Sequence, residues 1–192
     1  MSKVALVTDS TTYLPAEYLE KYVIRMAPAS VIWAGEELQD GIDILPAEFY
    51  ARLETAREMP TTSQATPAAF KEVFEELLSK GYDILTIVIS NKLSGAAGSA
   101  KQVMQMMPDA NIELIDSLSG AMGAGWPILE AAKAATRGAN LAECKAIAEK
   151  ALKNVGILLT VATLDYLHRG GRIGGAKHFL GTVLNLKPIL EI

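Results

Sequence analysis

Three observations predict an α/β protein built on a parallel sheet with helices on both faces, followed by the start of a second, α+β domain. Short runs of aliphatic and β-branched residues alternate with longer segments of helical periodicity, the strand-like runs are almost continuously apolar, and several end in Asp, Ser or Asn. Continuous apolar strands mark a sheet covered on both sides, and their alternation with helices argues for right-handed crossovers between parallel strands. Composition agrees. Half of the 192 residues are hydrophobic but only 6% are aromatic, the profile of a packed chain with room for one full core and part of a second.

"KVALVTD" reads as the first strand, and Pro15 opens the helix in "PAEYLEKY", where the missing N–H costs little. "IRMAPASVIWAG" is extended but interrupted at Pro28, a break or an edge position. "EELQDGID" reads as a turn-rich loop and "PAEFYARLETARE" as the next helix. In "PAAFKEVFEELLSKG", Phe70, Val73, Phe74, Leu77 and Leu78 recur at helical spacing, and Gly81 supplies the left-handed terminus. "DILTIVIS" is a buried strand, "GAAGSAKQVMQMM" a helix, "ANIELIDS" a strand, and "GAMGAGWPILEAAKAATRG" and "LAECKAIAEKALKN" two helices. "GILLTVATL" returns to strand-like composition. The Gly-rich "RGGRIGG" and a closing strand in "LKPILEI" then follow, so the domains are expected at residues 1–160 and 161–192.

Charge and chemistry exclude several classes. A net charge of −4, with Lys and Arg scattered except in "HRGGR", offers no basic field to a nucleic-acid backbone. The N-terminal apolar run is too short for a signal peptide and no later stretch has the length of a membrane span, so a cytoplasmic address is expected. Cys144 is the one cysteine and reads as a packed helix residue. His168 and His178 lack acidic or cysteine partners at metal-binding spacing and read as solvated or structural, so neither a metal nor a cofactor is expected. Met104, Met106 and Met107 read as core or as the lining of an apolar tunnel.

The chemistry concentrates in two hydroxyl-rich segments. "TTSQATPAAF" places Thr61, Thr62, Ser63 and Thr66 directly before a helix, and "ISNKLSGAAGSA" follows one strand later, with Lys92 its one charged residue ahead of Lys101. Asp9-Ser10, Ser90-Asn91 and Asp116-Ser117 close three strands, and in open parallel sheets ligands bind at such carboxyl ends. The same residues also serve simply to cap the following helices. Ser94 and Gly95 open a helix whose first N–H groups and dipole favour an anion. Phosphate sites usually add a glycine-rich signature such as G-x-x-x-x-G-K-[ST], which the sequence lacks. A singly charged carboxylate needs less.

"VTDSTTYLP", "LQDGIDI", "PTTSQATP", "SNKLSGAAGSA", "ELIDS" and "LDYLHRGGRIGGAKHFLGTVLNLKPIL", in this order, resemble the successive signatures of the DegV family. The resemblance implies a two-domain protein that clamps a long-chain fatty acid, palmitate-like, between an α/β domain and a second α+β domain. It implies a non-catalytic acyl-binding subunit that presents the carboxylate to a separate fatty acid kinase chain. Transient contact with a membrane surface is a further expectation. Carried over by position, the carboxylate is held by Thr62, Ser63, Ser94 and the backbone of Gly95. Arg169 and Arg172 are either solvated residues of a surface turn or face the kinase partner or the phosphate being transferred.

Two departures matter. The family's Ser-Gly turn usually continues with Thr and Tyr, where this sequence has Ala96 and Ala97. Relatives also continue beyond the Lys-Pro-Ile-Leu segment, so the expectation is a piece of a longer chain, or a lid completed by a second chain, with self-association through the uncovered face. The rival readings are an acyl hydrolase using Ser94 as nucleophile, against which G-x-S-x-G is absent, and a non-binding fragment or interaction module.

Overall fold

The computed structural model describes residues 3–179 and 187–192, in two compact units, residues 1–155 and 156–192. The first unit is organised by a four-stranded parallel sheet. Its central strand β1 (Lys3–Asp9) is buried along almost its whole length, because alternate side chains enter two separate cores. Val4 and Leu6 point to one, Ala5 and Val7 to the other. After a 3-10 turn, α1 (Ala16–Lys21) leads to β2 (Ile24–Ala27), which pairs with β1 in parallel.

Beyond Pro28 the chain leaves this sheet. β3 (Ser30–Trp33) and β4 (Glu36–Gln39) form an antiparallel hairpin. Its turn residues Ala34 and Gly35 both have positive φ, 50° and 84°, the backbone of a tight hairpin whose twist matches its strands. The turn-rich loop expected over "EELQDGID" is thus in part a strand. β4 is mostly exposed, so no apolar pattern marks it. Helix α2 (Pro46–Thr55) packs Phe49 and Leu53 against Val31, Trp33 and Ile44. β5 (Thr61–Ser63) then adds to the other side of β3, giving a three-stranded antiparallel sheet of order β4-β3-β5.

Helix α3 (Pro67–Ser79) starts with Thr66 as its cap, whose Oγ1 accepts the Ala69 N–H at 3.2 Å, and with Pro67 at its first position. Gly81, at φ 77°, turns the chain out of it. β6 (Tyr82–Val88), α4 (Ala96–Met106), β7 (Ile112–Asp116), α5 (Ala121–Thr136) and α6 (Leu141–Leu152) complete the unit. The parallel sheet has order β2-β1-β6-β7. Phe70, Phe74 and Leu77 of α3 with Ala96, Ala100 and Val103 of α4 cover one face. Ile128, Leu129 and Ala132 of α5 with Leu141, Cys144 and Ala148 of α6 cover the other.

The second unit contains β8 (Leu158–Thr160), α7 (Asp165–Arg169), a 3-10 turn (Gly174–Phe179) and β9 (Ile189–Glu191), with β8 and β9 paired antiparallel. Among the described residues no helix is long and apolar enough to cross a membrane.

Candidate functional site

The carboxyl ends of β1, β6 and β7 share one edge of the parallel sheet, and their polar residues are bonded within the protein, largely to backbone N–H groups of nearby loops. Asp9 is buried. Its Oδ1 accepts the Thr11 N–H at 3.0 Å as well as the Thr11 hydroxyl, and its Oδ2 accepts the Ile89 N–H at 2.8 Å, tying β1 to the loop after β6. Ser10 donates to Asp40 at 2.7 Å and accepts from the Ala29 N–H at 3.1 Å. Asp116 accepts the Asn91 N–H at 3.3 Å and the Leu118 N–H at 3.0 Å. Of the two readings open from the sequence, internal bonding therefore accounts for Asp9 and Asp116. They hold the edge on which the next segment stands.

That segment is the turn from Ser90 to Gly95. The N–H groups of Leu93 and Ser94 donate to the Ser90 carbonyl at 2.9 and 3.1 Å. Ser94, half-buried, accepts the Ala96 N–H on its Oγ at 3.3 Å. Gly95 is the cap of α4 with no side chain to offer, so the first turn of that helix presents N–H groups that lack intrahelical partners. This is the electropositive end on which an anion is stabilised.

Thr62 and Ser63 arrive from a different sheet. The sequence suggests that the elements bearing Thr62 and Ser94 are neighbours within one sheet. The structure instead places Thr62 on β5, opposite Val31 of β3 in the antiparallel sheet. The three-residue strand is too short and too exposed to carry a sheet signature of its own. Its register also separates the adjacent hydroxyls. Thr62 shares the face of Val31, whereas Thr61 and Ser63 share that of Ile32 and Ser30. Thr66, the fourth hydroxyl of the cluster, is occupied as the cap of α3.

What joins the two segments is Gln64, a residue that the sequence does not single out. Its Nε2 donates to the Oγ of Ser99 at 2.9 Å, and Ser99 is buried on α4. In reaching it the amide passes directly over Gly95. A methyl group built there would lie 2.6 Å from Gln64 Cδ and 2.7 Å from its Nε2. The one clue in the sequence is a long polar side chain two residues beyond Thr62.

Other sequence expectations resolve individually. Arg169 and Arg172 are exposed, and Arg172 donates from Nη1 to the Gly170 carbonyl at 2.6 Å. The adjacent Gly171 has φ 73°, the left-handed backbone that glycine tolerates. His168 is exposed, and the side chain of His178 lies outside the described part, as do residues 180–186 of the last motif. Met104 and Met107 pack partly against the α3–α4 core, but Met106 is 60% exposed. The core face of α4 runs through Ala96, Ser99, Ala100 and Val103, so position 106 falls outside it.

Fold and site thus define an α/β protein with a hydroxyl-bearing helix start at the edge of its parallel sheet. The family model described as an uncharacterised protein of the DegV family matches residues 3–192, and the chain belongs to that family. A DegV domain-containing protein of Caldanaerobacter subterraneus subsp. tengcongensis is 37% identical over 190 residues, spanning 99% of this chain and 68% of its own length. A DegV family protein from Thermus thermophilus, described for its fatty acid binding, superposes with a TM-score of 0.89 at 37% identity, over 99% of this chain and 68% of its own. DegV of Bacillus subtilis, named a fatty acid binding protein, matches with a TM-score of 0.89 at 33% identity, over 100% of this chain and 68% of its own.

Proposed function

We propose that this chain binds a long-chain fatty acid, palmitate-like in length, with its carboxylate between Thr62 of β5 and the Ser94–Gly95 start of α4. It acts in the cytoplasm as a non-catalytic subunit, presenting that carboxylate to a separate fatty acid kinase chain, with the exposed Arg169 and Arg172 facing the partner. The observation that carries the reading is the convergence of the two hydroxyl segments through Gln64, whose amide lies on the helix start itself. Neutral donors and a helix dipole suit a single negative charge. The relatives described as fatty acid binding supply the ligand class.

Alternation along β5 assigns unequal roles. It turns Thr62 and Ser63 to opposite faces of the strand, so one hydroxyl of the pair meets the helix start, and Thr62 takes that role here. Ser63 then contributes through its backbone. A hydrolase reading fares less well, because the hydrogen bond at Ser94 Oγ is one it accepts from the Ala96 N–H, not one donated to a base.

Calorimetric titration with palmitate tests the reading. A hydrogen bond to a charged group contributes about 1.5–3 kcal/mol, and 1.4 kcal/mol is a factor of ten. Thr62→Ala and Ser94→Ala should therefore each weaken binding by about tenfold or more while Ser63→Ala changes it little. Unchanged affinity in both of the first two would remove the carboxylate site. Organic extraction of the purified protein adds an independent check, since a covalent adduct on Ser94 would favour the hydrolase.

A further inference from the structure

We infer that Gln64 is a positioning residue for the head-group site, setting the spacing between Thr62 and the Ser94–Gly95 helix start, and that Gly95 is a glycine to make room for it. The inference rests on the carboxylate reading above and adds a residue to it. Gly95 has φ −83° and ψ 10°, a backbone that any residue adopts, so conformational freedom is not why glycine stands there. Space is. The amide of Gln64 fills the volume that a side chain would need, with Cδ and Nε2 inside 3 Å of the position of a Cβ at 2.6 and 2.7 Å, and Oε1 closer still.

The amide is held from both ends. On the backbone side, Ala65 is buried and Thr66 caps α3, so the stem of Gln64 is anchored between β5 and α3. At the tip, Nε2 donates to Ser99 Oγ. Ser99 lies one helical turn beyond Gly95, to whose carbonyl its own N–H donates at 3.1 Å. One side chain thus spans the strand that carries Thr62 and the first turn of α4. Glutamine suits the place because it is long enough to reach and adds no negative charge beside a carboxylate.

The geometry dictates a double-mutant cycle in the full chain, read by thermal stability and by calorimetric affinity for myristate and for tetradecanol. Gln64→Ala should lower myristate affinity about tenfold and leave tetradecanol, which has no carboxylate, nearly unchanged. Gly95→Ala should reproduce that loss by expelling the amide. In the Gln64→Ala background the added methyl meets open space, so the double variant should be no worse than either single one. Gln64→Glu keeps the length and can accept the Ser99 hydroxyl. It should recover the melting temperature lost in Gln64→Ala without recovering myristate affinity, a split that a purely structural role would not produce. Additive losses in the cycle, or equal losses for acid and alcohol, overturn the inference. If the wild type binds myristate and Gln64→Ala binds it as tightly, the inference alone falls. A wild type that binds no fatty acid overturns both this inference and the carboxylate reading.

Discussion

Replacing Asp9 with alanine tests whether the sheet edge beneath the site is held as the hydrogen bonds indicate. The carboxylate is 1% exposed and accepts the Thr11 N–H at 3.0 Å, the Thr11 hydroxyl, and the Ile89 N–H at 2.8 Å, the last from 80 residues away. Hydrogen bonds to a charged group contribute about 1.5–3 kcal/mol each, and a buried donor left without an acceptor costs about 1–3 kcal/mol. Truncation strands two backbone N–H groups. The Thr11 hydroxyl is free to turn elsewhere, and water entering the space recovers part of the loss at the half-buried Thr11. A net destabilisation of about 3 kcal/mol follows, which for a chain of this size lowers the melting temperature by roughly 6–12 °C. Asp9→Asn keeps the volume and one acceptor oxygen but turns an NH2 toward a donor, so about half of that loss is expected. Urea unfolding followed by circular dichroism measures both. If Asp9→Ala stays within about 1 kcal/mol of the wild type while ligand affinity collapses, Asp9 belongs to the binding chemistry and its structural assignment is wrong.

Two further outcomes follow from titratable groups. The phenol of Tyr13 is pushed up to about 12 by burial, then by the charge of Asp40, by Tyr50 and by its hydrogen bond to Asp40. The unfolded chain loses this proton near pH 10 and the folded one near 12, so this group's contribution to stability is lost as pH rises across that window. Tyr13→Phe should flatten the alkaline fall in melting temperature, and an unaltered profile would contradict the assignment. Burial also raises the thiol of Cys144, with the neighbouring Glu143 adding to the shift, and its S–H faces the Ala139 carbonyl at 3.7 Å. A thiol reagent at pH 8 should therefore label Cys144 only in denaturant. Rapid labelling of the native protein would mean that α5 and α6 separate readily.

The parts of the fold legible in the sequence are those in which burial leaves a periodic trace. β1 and β6 are apolar almost without interruption because α3 and α4 lie on one face and α5 and α6 on the other. α3 announces itself through Phe70, Phe74 and Leu77 at helical spacing, with Thr66-Pro67 before it and Gly81 after. The small sheet leaves no such trace. β4 is largely exposed and β5 is three residues long, so neither buries enough to impose alternation on its composition. Met106 shows the converse, because its apolar character suggests burial while its position on α4 leaves it in solvent. A single apolar side chain at a surface position carries little information.

The candidate site divides along the same line. Hydroxyls before a helix and a Ser-Gly helix start are local features, and local chemistry points to an anion at such a place whatever the rest of the chain does. Gln64 and Ser99 are 35 residues apart, and nothing local distinguishes this glutamine from a solvated one. Gly95 is legible as part of the helix start, but why glycine stands there is not, since its backbone is ordinary and the amide above it accounts for the missing side chain. The pair Thr62-Ser63 sets the sharper limit. As text they are two equivalent neighbours, and a motif match assigns them together. On a strand, neighbours face opposite ways. The observed pairing of Val31 with Thr62 and of Ser30 with Ser63 therefore sends the two hydroxyls to opposite faces, so the pair cannot act at the helix start as two equivalent side chains, and the Thr62→Ala and Ser63→Ala variants are expected to differ.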